Sequence, residues 1–266
     1  MEFMPNGSLH DLLHRSPRPP PWPRRVEIAL DVARALRALH GAAPRVIHRD
    51  VKTANILLGR DGRSRLADFS LAVRVAADAA GAPAPAGTMG YLDPSYTEPG
   101  RLGPESDVFS FGVVLLELIS GRKVMDMSAF PSSIVAWAVP LIGAGMARKV
   151  FDGRLAAPPP DAEDAIARVL AVAARCVSDG VERRPAMSEV ASELRGALEG
   201  AGWHRRRGMD AVERVYRRVV SWGTRLRVKT TRRSKVECTE LSSEGSSSRA
   251  DSCPLPSRSS SMPIIR

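Results

Sequence analysis

The stretch His48-Arg49-Asp50-Val51-Lys52-Thr53-Ala54-Asn55, followed thirteen residues after Asn55 by Asp68-Phe69-Ser70, constrains this chain more than any other feature. Asp50, Asn55 and Asp68 are three oxygen-bearing side chains at fixed intervals, and between them runs an apolar segment, Ile56-Leu57-Leu58, with the composition of a short strand. A base beside a nucleophile requires one carboxylate, and a hard cation requires further oxygen ligands, all presented from one rigid surface. Chance occurrence of a His-Arg-Asp tripeptide and an Asp-Phe dipeptide in a helical protein accounts poorly for the whole spacing.

These residues resemble the catalytic loop and metal-binding segment of eukaryotic protein kinases. The resemblance implies phosphoryl transfer with ATP and Mg²⁺ as cofactors. Asp50 would orient the acceptor hydroxyl, and Asn55 and Asp68 would hold the metal. Lys52, two residues after Asp50, resembles the Ser/Thr-specific pattern, and an ammonium there would neutralise charge on the transferring phosphoryl group. His48 is expected to be a packed structural histidine and not a base.

The resemblance extends along about residues 1 to 199, with the pattern of plant receptor-like kinases. Glu2-Phe3-Met4-Pro5-Asn6-Gly7-Ser8-Leu9 is similar to the hinge between the two lobes, with Met1 at the gatekeeper position. By that resemblance Glu2 and Met4 would meet adenine through their backbone, and Leu57 would form the floor beneath it. Trp22, Arg25, Ile28-Ala29, Ala33, Leu36 and Leu39-His40 match the long helix ahead of the catalytic loop. Independently of any family, Val26, Ala29-Leu30, Ala33, Leu36 and Leu39 recur at helical spacing and predict one buried face, with Glu27, Arg34 and Arg37 outside it. Gly87-Thr88-Met89-Gly90-Tyr91-Leu92-Asp93-Pro94 resembles the substrate loop, where Thr88 and Gly90 would lie against the acceptor peptide. Asp107-Val108-Phe109-Ser110-Phe111-Gly112 and the apolar run after it resemble the central helix of the large lobe, Asp107 bracing the catalytic-loop backbone. Cys176, Arg184-Pro185, Met187, Val190 and Leu194 resemble the final helices.

The family also uses a Gly-rich loop over the phosphates, a strand lysine and a helix glutamate, all ahead of the hinge. None is found in this sequence: Gly143-Ala144-Gly145-Met146-Ala147-Arg148 has Arg148 where a third glycine is needed. Only the large lobe is therefore expected here, with weak ATP affinity. Two positions depart from the pattern. Ser70 replaces the glycine after Asp68-Phe69, which removes backbone freedom. Ser95 replaces the Glu that pairs with the Arg matching Arg184, and an unpaired buried Arg costs about 3–5 kcal/mol unless water or another acid rescues it. The segment from Leu71 to Gly87 contains no Ser, Thr or Tyr, so Arg49, which would ordinarily recruit a phosphorylated residue there, has none to recruit. Asp78 is a solvated loop carboxylate or a permanent acidic substitute.

The formal net charge of +10 resides in one segment. Residues 204–235 hold twelve Lys/Arg against Asp210 and Glu213, while residues 1–203 nearly balance at 24 basic and 23 acidic. A basic nucleic-acid surface is thus not a property of the folded domain, and nucleic acid ranks last among partners. Met209, Val212, Val215-Tyr216, Val219 and Trp222 fall on one helical face of the basic segment. That suits an anionic membrane surface, a calmodulin-like protein, or docking back on the lobe. The stretch from residue 236, Ser-rich with Pro254, Pro256 and Pro263, reads as a disordered tail. Cys176, Cys238 and Cys253 show no metal or disulfide pattern. The apolar run Phe109 to Ile119 is too short to span a membrane and contains Glu117. The expectation is a cytoplasmic protein, peripheral at the plasma membrane if the basic segment binds lipid.

The sequence therefore predicts a mainly α, kinase-like large lobe with short β hairpins around the catalytic loop (1–199), a basic amphipathic segment (200–235) and a Ser-rich tail (236–266). Two functions follow from the resemblance: a Ser/Thr protein kinase acting on protein substrates below an upstream receptor kinase, or a non-catalytic kinase-like module working through partner or membrane binding.

Overall fold

A computed structural model describes residues 4–75, 84–97 and 102–203 of the chain. Met1, Glu2, Asp78, the basic helix beyond residue 203 and the Ser-rich tail lie outside the described residues.

The described chain is helical, with two small two-stranded antiparallel sheets. The helices are α1 (Leu9–His14), α2 (Trp22–His40), α3 (Pro104–Ser120), α4 (Ile134–Gly143), α5 (Pro160–Cys176) and α6 (Met187–Gly200). The strands are β1 (Arg45–Ile47), β2 (Ile56–Leu58), β3 (Ser64–Leu66) and β4 (Val73–Val75). The strands pair antiparallel as β1 with β4, Ile47 opposite Val73, and β2 with β3, Ile56 opposite Leu66. The loop 48–55 thus hangs between β1 and β2, and Asp68 lies in the link between β3 and β4. The β1–β4 pair closes the segment that carries the β2–β3 hairpin, so all the oxygen-bearing residues of the motif fall within one closed loop.

Helix α3 is the central post. Pro104 sets its first turn, Gly103 precedes it in extended conformation, and nearly every side chain along it is buried, Asp107 and Glu117 included. A helix apolar all round has to be enclosed on every side. Here α2, α4 and α5 supply the walls. Gly112 makes the α3–α5 approach possible: a Cβ there would fall 2.6 Å from Cys176 Cβ and 2.7 Å from Val177 Cγ1. Burial in this contact pushes the Cys176 thiol up to about 12, which makes it an inert packing group.

The one-stripe expectation for α2 falls short of what is observed. Val26, Ala29, Leu30, Ala33 and Leu36 are buried as the spacing predicts, but Trp22, Arg25, Ile28, Asp31 and Val32 are buried too. The helix is covered by α6, α3, β1 and β3 on different sides, so it has no broad solvent face. Fully buried Arg25 ties α2 to the C-terminal end of α3. Its Nε donates to Pro20 O at 2.8 Å, Nη1 to Leu118 O at 2.6 Å and Nη2 to Asp152 Oδ2 at 2.6 Å. Arg154 donates to both oxygens of Asp152, at 2.9 and 2.8 Å. Burial alone would raise the Asp152 pKa, but hydrogen bonds from Arg154 and Arg25 outweigh it and hold the carboxyl down to about 2.

The segment Gly143 to Arg148 closes α4 and turns with Gly145 at φ 72°, and Arg148 pairs with Glu163 of α5. No helix among the described residues is long and apolar enough to cross a membrane.

Candidate active site

The catalytic loop is held by a carboxylate from beneath. Asp107, in the first turn of α3, accepts from His48 N at 2.9 Å and Arg49 N at 2.8 Å, and His40 Nε2 donates to its Oδ2 at 2.8 Å. Arg49 sits at φ 71°, in the left-handed region that costs a non-glycine residue about 1 kcal/mol or more. The two hydrogen bonds to Asp107 flank that residue and hold it there. His48 is fully buried, donates from Nε2 to Ala67 O at 3.0 Å and meets Phe69 edge-on with centroids 4.8 Å apart. Burial lowers its pKa in spite of nearby Asp107, so the ring packs as a neutral imidazole.

Asp50 projects from this loop into a cluster of donors. Lys52 Nζ lies 2.7 Å from Asp50 Oδ2 and 2.9 Å from Thr88 Oγ1, and the Thr88 hydroxyl donates to Asp50 Oδ1 at 2.6 Å. Asn55 Nδ2 donates to Asp50 O at 2.9 Å and to Oδ2 at 3.0 Å. Burial would raise the Asp50 pKa, but hydrogen bonds from Lys52, Thr88 and Asn55 outweigh it and hold the carboxyl below its usual value. The group is therefore an ionised acceptor at neutral pH, suited to orienting a hydroxyl. Sequence spacing put Thr88 only in the substrate loop, whereas it is a direct partner of Asp50 and Lys52.

Asp68 is exposed and adopts φ 61°. Ser70 donates to its Oδ1 from Oγ at 2.6 Å and from N at 3.3 Å, and these bonds hold the Asp68 pKa below its usual value. Ser70 does not adopt a glycine-like backbone: the positive φ angles among described non-glycine residues fall on Arg49 and Asp68. Ser70 instead supplies a donor to the carboxylate that no glycine could. Asn55 spends its amide nitrogen on Asp50, so that contact does not use its side-chain oxygen. Oxygen atoms of Asn55 and Asp68 make a hard donor set that fits Mg²⁺.

Along β2, Leu58 N donates to Gly7 O at 3.0 Å, Asn6 Nδ2 to Gly59 O at 2.9 Å, and Ser8 bridges to Leu57. The segment carrying half-buried Met4 is thereby laid along β2 beside half-buried Leu57. In the substrate loop Gly90 has φ 87°, and a Cβ there would fall 2.6 Å from Val124 Cγ1, so both its backbone and the space around it require glycine.

With Ser95 in place of a Glu, the acid needed to rescue Arg184 is supplied by a neighbour. Asp93, two residues earlier, receives Arg184 Nη1 at 2.5 Å and Nη2 at 2.9 Å in a bidentate buried pair. Nε donates to Ser178 O at 2.9 Å, and the guanidinium lies over the Phe109 ring. Arg49 is likewise engaged, with Nη1 on Leu71 O at 3.3 Å and Nη2 on Ala84 O at 2.5 Å. Main-chain carbonyls thus occupy the side chain that the family uses for a phosphate.

Four residues that motif reading passed over also support the site. His40 steadies Asp107, and a buried network joins Thr53, Tyr91 and Glu117: Tyr91 Oη donates to Glu117 Oε2 at 2.6 Å and Thr53 Oγ1 to Oε1 at 3.2 Å. The charged Glu117 inside an apolar run was the one signal in the sequence that a polar partner waits there.

A braced loop between two small antiparallel strand pairs on a helical base, with an exposed carboxylate in the following link, is the arrangement of a protein-kinase large lobe. The chain belongs to the protein tyrosine and serine/threonine kinase family, whose model matches residues 1–194. It is 47% identical over 209 residues to a serine/threonine-protein kinase-like protein of Arabidopsis thaliana, covering 74% of this chain and 58% of that protein. A second Arabidopsis protein of the same description is 46% identical over 225 residues, with 81% and 47% covered. PTI1-like tyrosine-protein kinase 1 of Arabidopsis thaliana is 41% identical over 211 residues, with 74% and 58% covered. The chain spans about half the length of the curated relatives it matches.

Proposed function

We propose that this chain is the catalytic large lobe of a Ser/Thr protein kinase that transfers a phosphoryl group from Mg·ATP to a Ser or Thr hydroxyl of a protein. The triangle of Asp50, Lys52 and Thr88 supports this reading most strongly, because it sets an ionised carboxylate and an ammonium side by side. Asp50 would accept a hydrogen bond from the incoming hydroxyl and orient it. Lys52 would lie against the negative charge that gathers on the phosphoryl oxygens. Asn55 and Asp68 would hold Mg²⁺, which when bound neutralises charge on the phosphates. Met4 and, outside the described residues, Glu2 would meet adenine by backbone, with Leu57 beneath it. Thr88 and Gly90 would bound the peptide, and His48, Arg49, Asp107 and Arg184 would hold the frame.

Carbonyl-held Arg49 supports an activation segment that keeps its position without phosphorylation. A protein substrate and an upstream receptor kinase are the partners this reading implies. The basic segment 204–235 stands as the surface for an anionic membrane or a calmodulin-like protein.

The test is a Mg·ATP titration of the purified chain that follows thermal stability, beside Asp68→Asn. A ligand at a hundred times its Kd adds about 2.7 kcal/mol to native stability. A metal-dependent shift that Asp68→Asn abolishes supports the reading. No shift at millimolar ATP favours the kinase-like binding module instead.

A further inference from the structure

On the far side of the catalytic loop, α1 carries His10 and His14 four residues apart, and Glu117 of α3 reaches them from the core. One donor atom from each of the three lies within 4.8 Å of the others. The two imidazoles stack at 4.8 Å between centroids with a tilt of 55°, and His14 Nε2 is 2.7 Å from Glu117 Oε1. Residues four apart on a helix share a face, which is the spacing helical proteins use to turn two imidazoles on one ion.

Glu117 is the unusual member. It is 1% exposed, and its described partners besides His14 are the hydroxyls of Tyr91 and Thr53. A buried carboxylate needs a compensating cation, and neutral hydroxyls do not provide one. His14 supplies that charge only when protonated.

We infer that His10, His14 and Glu117 form a binding site for a borderline divalent transition metal, with Zn²⁺ as the best match. Two imidazole nitrogens, one carboxylate oxygen and a remaining open position are a known Zn²⁺ ligand set. Mg²⁺ and Ca²⁺ prefer all-oxygen sites and are poor competitors here. The hydroxyls of Tyr91 and Thr53 already orient the carboxylate, which is the role of an outer shell around a metal. Ligand atoms around a tetrahedral ion with bonds near 2.0 Å stand about 3.3 Å apart. Binding therefore opens the His14–Glu117 contact slightly and draws half-buried His10 inward by side-chain rotation. The ion clasps α1 to α3 and loads the carboxylate that holds Thr53 of the catalytic loop and Tyr91 of the substrate loop. This site uses none of the residues assigned to Mg·ATP and stands or falls separately from that assignment.

The experiment is a calorimetric Zn²⁺ titration of the full chain, stripped with chelator and kept in excess Mg²⁺. Cys238 and Cys253 are alkylated to remove competing thiolates. Co²⁺ in place of Zn²⁺ reports geometry through its visible absorption. One equivalent of metal with a tetrahedral Co²⁺ spectrum is expected, and His10→Asn should lower the affinity about tenfold or more. His10 is half-buried and hydrogen-bonds no residue of the core, so this variant should melt like the parent without metal. Failure to take up Zn²⁺ at micromolar concentration, or unchanged affinity in His10→Asn, overturns the site. His14→Asn serves as a second ligand variant, judged only if its metal-free form remains folded.

Discussion

Asp107 touches none of the reacting groups, yet the catalytic loop depends on it, because two consecutive backbone N–H groups and His40 converge on one buried carboxylate. Asp107→Asn keeps the shape but turns an NH₂ towards a donor. Leaving a buried donor unsatisfied beside a lost charge should lower stability by about 3 kcal/mol, read as a shift in the urea midpoint at unchanged slope. Thr88 allows a subtler test. Its hydroxyl donates to Asp50 and helps keep that carboxyl ionised, so Thr88→Val should raise the Asp50 pKa while Thr88→Ser leaves it where it is. Carboxyl carbon NMR across the acid range measures both. At this scale the family resemblance was legible because its residue types recur at fixed intervals. The Asp93–Arg184 pair was not, because a position-by-position reading sees Ser95 and registers a vacancy. Only the fold shows that the carboxylate two residues away fills the same space.

Between elements, the decisive contacts are one ion pair and one glycine. Arg184→Met alone leaves Asp93 buried without its cation and should cost about 3–5 kcal/mol, whereas Arg184→Met with Asp93→Leu should recover most of that. A double-mutant cycle in urea settles it: two additive losses would mean that the pair is not coupled. Gly112→Val drives a side chain into Cys176 and Val177 across α3–α5. The overpacking should cost about 1–3 kcal/mol or more, and thermal melts of the parent and variant give the difference. A helical period was readable along α2 because apolar residues recur every three to four positions, whereas α3 was recognised as a continuous apolar run. Burial of Arg25 and Asp31 was not readable, since charge normally marks a solvent face and only the neighbours of α2 reverse that rule. The three-residue strands also escape periodicity, which needs longer runs to tell a strand from a buried turn of helix.

For the described body as a whole, one acid-sensitive point is the junction where α2, the end of α3 and the loop after Val150 meet. Asp152 titrates at about 2 in the folded chain and near 3.9 unfolded. A lowered folded value means that its stabilisation is complete above about pH 4 and drains as pH falls through about 2, an amount of about 2–3 kcal/mol. Asp152→Asn should therefore be less stable at neutral pH and show a flatter loss of stability across that window. Urea midpoints at several pH values would show a parallel loss in both proteins if the junction is not responsible. By itself the sequence determined the family, the order of motifs and the helical character, since these depend on local intervals and residue types. The tertiary structure alone decided which acid neutralises Arg184, which donors hold Asp50 ionised, and that two histidines of α1 meet a buried glutamate of α3. Such choices depend on groups far apart in the chain, and burial, which makes each pairing energetically compulsory, exists only once the helices have packed.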